Sequence, residues 1–236
     1  MNIEQLKKDI IPPELMLKLY GDIPDSEVEA KIELLDDFLE KVRDSYDEDV
    51  FKVLRSNQLA VLLWMAKRYQ EVITHAEEVV HLLAPEDYPT YYFLSVDLLI
   101  KCNFILSKYE KAEKWARLAL ENHQHSSVIS NLHILNNYAD VRLATNKPLD
   151  KKYSPLIQSI IDEYGFPEKL NDPLETIKSM EARHKYWNRQ LSELILINRS
   201  DPPEYLKELE NYKNSCEIEW YRNYAQKAIN TLKNKK

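Results

Sequence analysis

Glycine is almost missing from this chain, at 2 of 236 residues, where average usage gives about 16. Phosphate-cradling loops and tight sheet turns need positions of positive φ that glycine fills most cheaply. Neither G-x-G-x-x-G nor G-x-x-x-x-G-K occurs, which excludes dinucleotide-binding and P-loop architectures. Cysteine is equally scarce. Cys102 and Cys216 stand far apart without metal-ligand spacing, the pattern expected of reduced thiols in a cytoplasmic protein. The longest apolar run is Leu59 to Ala66, far short of the roughly 20 residues that span a bilayer. The opening stretch breaks at Pro12-Pro13 and lacks a small-residue cleavage site, so no signal peptide is expected.

A concentrated basic patch is lacking as well. Residues 1–50 hold six Lys and Arg against fifteen Asp and Glu, residues 51–150 balance at eleven each, and residues 151–236 carry fifteen against thirteen. The only cationic concentration is the tail Lys233-Asn-Lys-Lys236. Phosphate binding needs clustered cations, so no nucleic acid partner is expected. Hydrophobic residues at 44% and charged residues at 30% describe a chain able to bury a core.

What is present is helical punctuation. Pro12-Pro13 opens a short helix to Tyr20 closed by Gly21, and Pro24 precedes an acidic helix of about 25–45. Pro85 and Pro89 flank a turn, and Pro148 ends a helix. Ser154-Pro155 starts another, with Ser154 as N-cap, and Gly165 with Pro167 stops it. Asp172-Pro173 and Asp201-Pro202 read as N-cap followed by proline at N1. Apolar residues recur at steps of three and four throughout. Leu174, Ile177, Met180, His184, Trp187, Leu191, Leu194 and Asn198, widened by Ile195, make one stripe. Leu209, Tyr212, Cys216, Trp220, Tyr224, Ala228 and Thr231 make another. With no alternating strand run, the fold class is all-α, with nine or ten helices.

One internal recurrence stands out. Arg68-Tyr69 through Val80 aligns with Lys108-Tyr109 through Leu120, offset by 40. Tyr109, Ala112, Ala116 and Ala119 place an aromatic and then small residues at three, seven and ten positions on; Tyr69, Val72, Ala76 and Val79 follow more loosely. This pattern resembles the tetratricopeptide repeat over residues ~50–165, with a degenerate third copy at about 125–164. The spacing of 40 rather than the family's 34 and the missing turn glycines depart from it. A generic helical bundle is the alternative. The resemblance implies three regions: an acidic N-terminal segment (1–46), helical hairpins (47–166) and a long C-terminal helix pair (167–236).

In such an array the first helix of each hairpin lines a concave groove. The family register places Asn57, Val61 and Trp64 there from the first repeat, Asp97, Lys101 and Phe104 from the second, and His133, Asn136 and Asp140 from the third. Asparagine offers a donor and an acceptor to an extended peptide, and the rings suit apolar side chains, although an aromatic at helical spacing is also what a core contains. The Lys and Asn pattern that grips a terminal carboxylate in some family members is missing here. In the C-terminal pair, Trp220, Tyr221 and Tyr224 form a candidate contact surface for a second copy, with capping of the array as the alternative.

Catalytic signals are sparse. His123-Gln-His125 with His133 is the densest histidine group, but no H-E-x-x-H occurs, so no metal and no cofactor are expected. Arg117-x5-His123 and Arg68-x6-His75 resemble the Arg/His pair of HEPN ribonucleases, with Leu118 and Tyr69 where that class carries a polar residue. Cys102 lies in an apolar helix without an adjacent His. The reading is therefore a non-enzymatic, cytoplasmic module that binds another protein or peptide as adaptor, chaperone, regulator or toxin-immunity factor. Its Lys-rich, Gly-poor composition suits a bacterial or phage origin. The acidic N-terminal segment favours a basic partner, or serves only as a solvated face. A HEPN-like ribonuclease and a homodimeric scaffold are the alternatives.

Overall fold

The computed structural model describes the backbone of residues 1–8, 11–200 and 202–233, and the side chains of these except 195–200, 202 and 203. The stripe positions Ile195 and Asn198, the cap Asp201 and tail residues 234–236 therefore lie outside the described side chains. Among the described residues there are twelve α-helices and no strand, as the all-α expectation requires. The chain divides into two compact units, Met1–Thr145 and Asn146–Lys236.

The first unit contains α1 (Ile3–Leu6), α2 (Pro13–Leu17), α3 (Val28–Val42), α4 (Glu48–Met65), α5 (Tyr69–Leu82), α6 (Pro89–Ile105), α7 (Tyr109–Glu121) and α8 (Val128–Ala144). Each helix from α3 to α8 packs on the next, and α6 also touches α4 and α8, so α4, α6 and α8 form one layer. Burial explains why α6 is central. Tyr92, Val96, Leu99, Ile100 and Cys102 are buried at most of its helical phases, as befits a helix enclosed by neighbours. Leu15 and Leu19 join Leu59, Leu62, Leu98 and Leu99 in one core cluster. The N-terminal segment thus belongs to the unit's core. The backbone runs through Gly21 in a π-helical turn, Lys18–Asp22, so Gly21 does not close the helix as expected.

Turns made without glycine resolve the composition puzzle. Lys67 and Ser107 adopt φ of 61° and 58°. The following amides, of Arg68 and Lys108, bond back to the Leu63 and Asn103 carbonyls at 2.9 and 2.8 Å. This is a Schellman ending, and it occurs twice, forty residues apart. Left-handed geometry costs a non-glycine residue about 1–2 kcal/mol. Lys67→Gly and Ser107→Gly are therefore each expected to raise stability by about 1 kcal/mol in urea titrations, with no change in helix content.

In the second unit, α9 (Ser154–Tyr164) packs on α10 (Pro173–Ser200) and α12 (Glu219–Lys233), while α11 (Pro202–Ser215) packs on α10 and α12. The repeat register groups α9 with the third hairpin, but the helix belongs to this unit. Asp172 caps α10 as expected, accepting from the Leu174 and Glu175 amides at 2.8 and 2.9 Å. Ser154 does not cap α9. A 3₁₀ turn at Lys151–Tyr153 leads into the helix and moves the cap to Tyr153. Ile177, Met180, His184, Trp187, Leu191 and Leu194 are all buried, as their spacing predicts.

The last helix expected, about 203–233, is instead two. Asn214 and Ser215, poor helix formers, precede a break at 216–218, where Cys216 and Ile218 are buried. The break resets the apolar phase. Beyond it, Tyr221, Ala225 and Ile229 face the core, while Trp220 and Tyr224 of the expected stripe are 40% and 41% exposed.

Candidate functional site

The face of the α4–α6–α8 layer holds two clefts that share α6. The larger, about 830 Å³, lies between Met16, Leu17 and Tyr20 of the N-terminal segment, Leu54 and Gln58 of α4, and Tyr88 and Tyr91 at the start of α6. Tyr20 donates its hydroxyl to Gln58 Oε1 at 2.6 Å. Burial, reinforced by neighbouring Tyr91, pushes the Tyr20 phenol up to about 12, so it stays a neutral donor. The Tyr88 and Tyr91 rings meet edge to face at 4.7 Å. The second cleft, about 420 Å³, lies between Thr90, Phe93, Leu94 and Asp97 of α6 and Ser130 and His133 of α8, with Ser127 at its end.

The charges of this face are tied to one another. Lys101 Nζ sits 2.5 Å from Asp97 Oδ2, an i,i+4 pair. Asn137 of α8 donates to the other oxygen, Asp97 Oδ1, at 2.5 Å. His133 and Asp140 are half-buried and also engaged. Of the expected groove residues, the structure thus brings Asp97, Lys101 and His133 to the face, with Val61 half-buried on α4.

Asn57 and Asn136 are not groove residues. They are 3% and 8% exposed and line neither cleft. On α4, Val61 and Met65 are half-buried, while Leu54 and Gln58, which line the larger cleft, are 2% and 8% exposed. Trp64 and Phe104 are half-buried, and their rings pack on Tyr69 and Tyr109 at 5.4 and 5.6 Å, both tilted at 56°. These rings pack at the hairpin turns. Sequence reasoning missed Leu94 and Leu17, which are 36% and 66% exposed. Nothing local distinguishes an exposed leucine from a buried one in a helix as apolar as α6.

Beyond this face, a polar cavity of about 520 Å³ lies among α3, α4 and α5. Arg55 forks onto Asp36 at 2.7 and 2.8 Å, Arg43 pairs with Glu40, and Lys52 with Glu48. Glu29 holds Arg68, so several acids of the N-terminal segment are matched within the unit. Ser56 donates to Glu78 and, with its proton so placed, accepts from His75 Nδ1 at 3.4 Å. Burial first, then Arg55, lowers the His75 pKa below its ordinary 6.5. The folded state therefore resists the proton that the unfolded chain takes up. Stability contributed here is present above pH about 6.5 and falls as pH drops below it. His75→Gln is expected to flatten that part of a pH-dependent urea profile.

The arginines of both Arg/His pairs are engaged with carboxylates. Arg68 is bound by Glu71 and Glu29, and Arg117 by Glu113. His123 donates from Nδ1 to the Leu120 carbonyl at 2.8 Å. No group of three or more His, Cys, Asp or Glu among the described residues could hold a metal ion. No helix there is long and apolar enough to cross a membrane.

In the second unit, Tyr221 is 2% exposed and hydrogen-bonded to His184 Nδ1 at 3.0 Å, which removes it from the expected contact surface; the reset of phase at 216–218 is the reason. Trp220 stacks on Tyr164, at 5.1 Å and 11°, and on Tyr224, at 5.8 Å and 15°, and remains 40% exposed. Comparison with protein-family models, curated proteins and solved structures returns no match for this chain.

Proposed function

We propose that the first unit is a non-enzymatic binding module of tetratricopeptide type that holds a segment of another protein against its α4–α6–α8 layer. The observation that carries this is the pair of clefts flanking α6, with Leu17 and Leu94 left open to solvent. Large apolar side chains exposed in a concavity mark contact surfaces. The twofold occurrence of the same turn and ring pair at an offset of 40 supports the repeat reading. Two free, buried thiols support a cytoplasmic setting. The test is affinity capture from native lysate with wild type and with Leu94→Asp side by side. A partner retained by wild type and depleted about tenfold or more by the variant supports the proposal; equal recovery contradicts it.

A homodimer through α12 is a second reading, favoured by the exposed Trp220 and Tyr224. It requires sedimentation at twice 28.0 kDa, reversed by Tyr224→Asp.

A further inference from the structure

Going beyond the binding role just proposed and not depending on it, we infer that the larger cleft takes a small amphiphilic acid, an alkyl chain ended by a carboxylate. The walls of this cleft include Leu6, Met16, Leu17, Leu54, Tyr88 and Tyr91, brought together by α1, α2, α4 and the start of α6. Its volume of about 830 Å³ falls within the range of small-ligand sites, about 300–1,000 Å³.

Two donors of the lining are uncommitted. Tyr20 donates its hydroxyl to Gln58 Oε1 at 2.6 Å, which fixes the amide and leaves Nε2 as its donor. Gln58 is 8% exposed, yet nothing among the described residues accepts from that Nε2. An enclosed N–H without an acceptor costs free energy that a ligand oxygen recovers. Lys8, exposed at the rim, likewise has no ion pair among the described residues, whereas neighbouring Lys7 is held by Glu4. No carboxylate stands among the described lining residues, so this lining carries one net positive charge.

A carboxylate matches both vacancies, accepting from the amide and meeting the ammonium charge. A cationic guest would meet Lys8 as a like charge, and a pure hydrocarbon would leave Nε2 unpaired. The alkyl chain brings no polar atom to the leucine, methionine and tyrosine walls, which it shields from water. The protein segment proposed above keeps the smaller cleft and Leu94.

The experiment is isothermal titration calorimetry of the full chain with dodecanoate, its shorter homologues, methyl dodecanoate and dodecyltrimethylammonium. Dodecanoate should bind at one site per chain, with Kd tightening about threefold for each CH₂ added along the series. The ester and the ammonium should each bind at least about tenfold more weakly. Lys8→Glu, at an exposed position, should weaken the acid about fivefold and leave the ester unaffected. Gln58→Met, similar in length but without the donor, should weaken acid and ester alike, the acid about tenfold. Lys114→Glu, on the exposed side of α7, should change neither.

Circular dichroism melts separate lost binding from lost folding at Gln58, and the exposed Lys8 variant carries the test if Gln58→Met unfolds. No saturable heat, an ester or ammonium as tight as the acid, no gain with chain length, or indifference to Lys8→Glu would each overturn the inference. None of these outcomes alters the Leu94-dependent capture that tests the binding module, so the two readings fail separately.

Discussion

Gly165→Ala is expected to destabilise the second unit by about 3 kcal/mol. Gly165 ends α9 in the left-handed region at φ 64°, where a Cβ costs about 1–2 kcal/mol. Space adds a second penalty. A Cβ built there would stand 2.4 Å from Glu219 Cβ, closer than two such carbons can approach, so the backbone must shift. That shift strains the Glu219 amide bond to the Gly165 carbonyl, 3.2 Å long, which anchors the start of α12. It also disturbs the rings stacked nearby, Phe166 on Tyr164 and Tyr164 on Trp220. A urea titration followed by tryptophan fluorescence, with Trp187 and Trp220 reporting on this unit, reads the effect directly. Gly21→Ala is the natural control, since a Cβ added at Gly21 meets nothing within 4 Å and its φ is not positive; it should change stability by less than about 0.5 kcal/mol.

The second large effect concerns the hairpin interfaces of the first unit. Ala76 on α5 and Ala116 on α7 are both 0% exposed and occupy equivalent places in the 40-residue offset. Close packing leaves no room for three further carbons, and overpacking a filled core costs about 1–3 kcal/mol or more. Ala76→Leu and Ala116→Leu should each cost about 3 kcal/mol and should do so equally, because the two hairpins share one geometry. Lys114→Leu, two residues from Ala116 but exposed, should be neutral within about 0.5 kcal/mol. Strongly unequal costs at the two alanines would argue against structural equivalence of the hairpins.

Legibility followed the range of the interactions involved. Helix starts at Asp172 and stops at Gly165 were readable because capping is local, set by side chains two or three residues from the amides they serve. The α10 stripe was readable because one long period is hard to mistake. The break at 216–218 was not. Its cause is the burial of Cys216 and Ile218 between elements, with only Asn214 and Ser215 as a weak local sign, and its consequence was to turn Tyr221 inward and Trp220 outward. The site was half legible for the same reason. Asp97 and Lys101 were placed by the repeat register, and the structure pairs them at i,i+4. Asn57 was misplaced because it shares a helical face with half-buried Val61, one turn on, and only the neighbours packed on α4 decide which of the two is enclosed. Leu17 and Leu94 carried no sequence signal at all, since their exposure depends on which neighbours stop short of them.

We propose that a partner sits on the α4–α6–α8 layer, with the N-terminal segment beside it. A photo-crosslinking side chain placed at Leu94 on that layer, and at Lys114 on α7 as comparison, tests it in living cells of the source. The expected result is a discrete higher-mass adduct from position 94 and none from 114. Adducts from 114 alone, or none beyond the free chain from either, would contradict it.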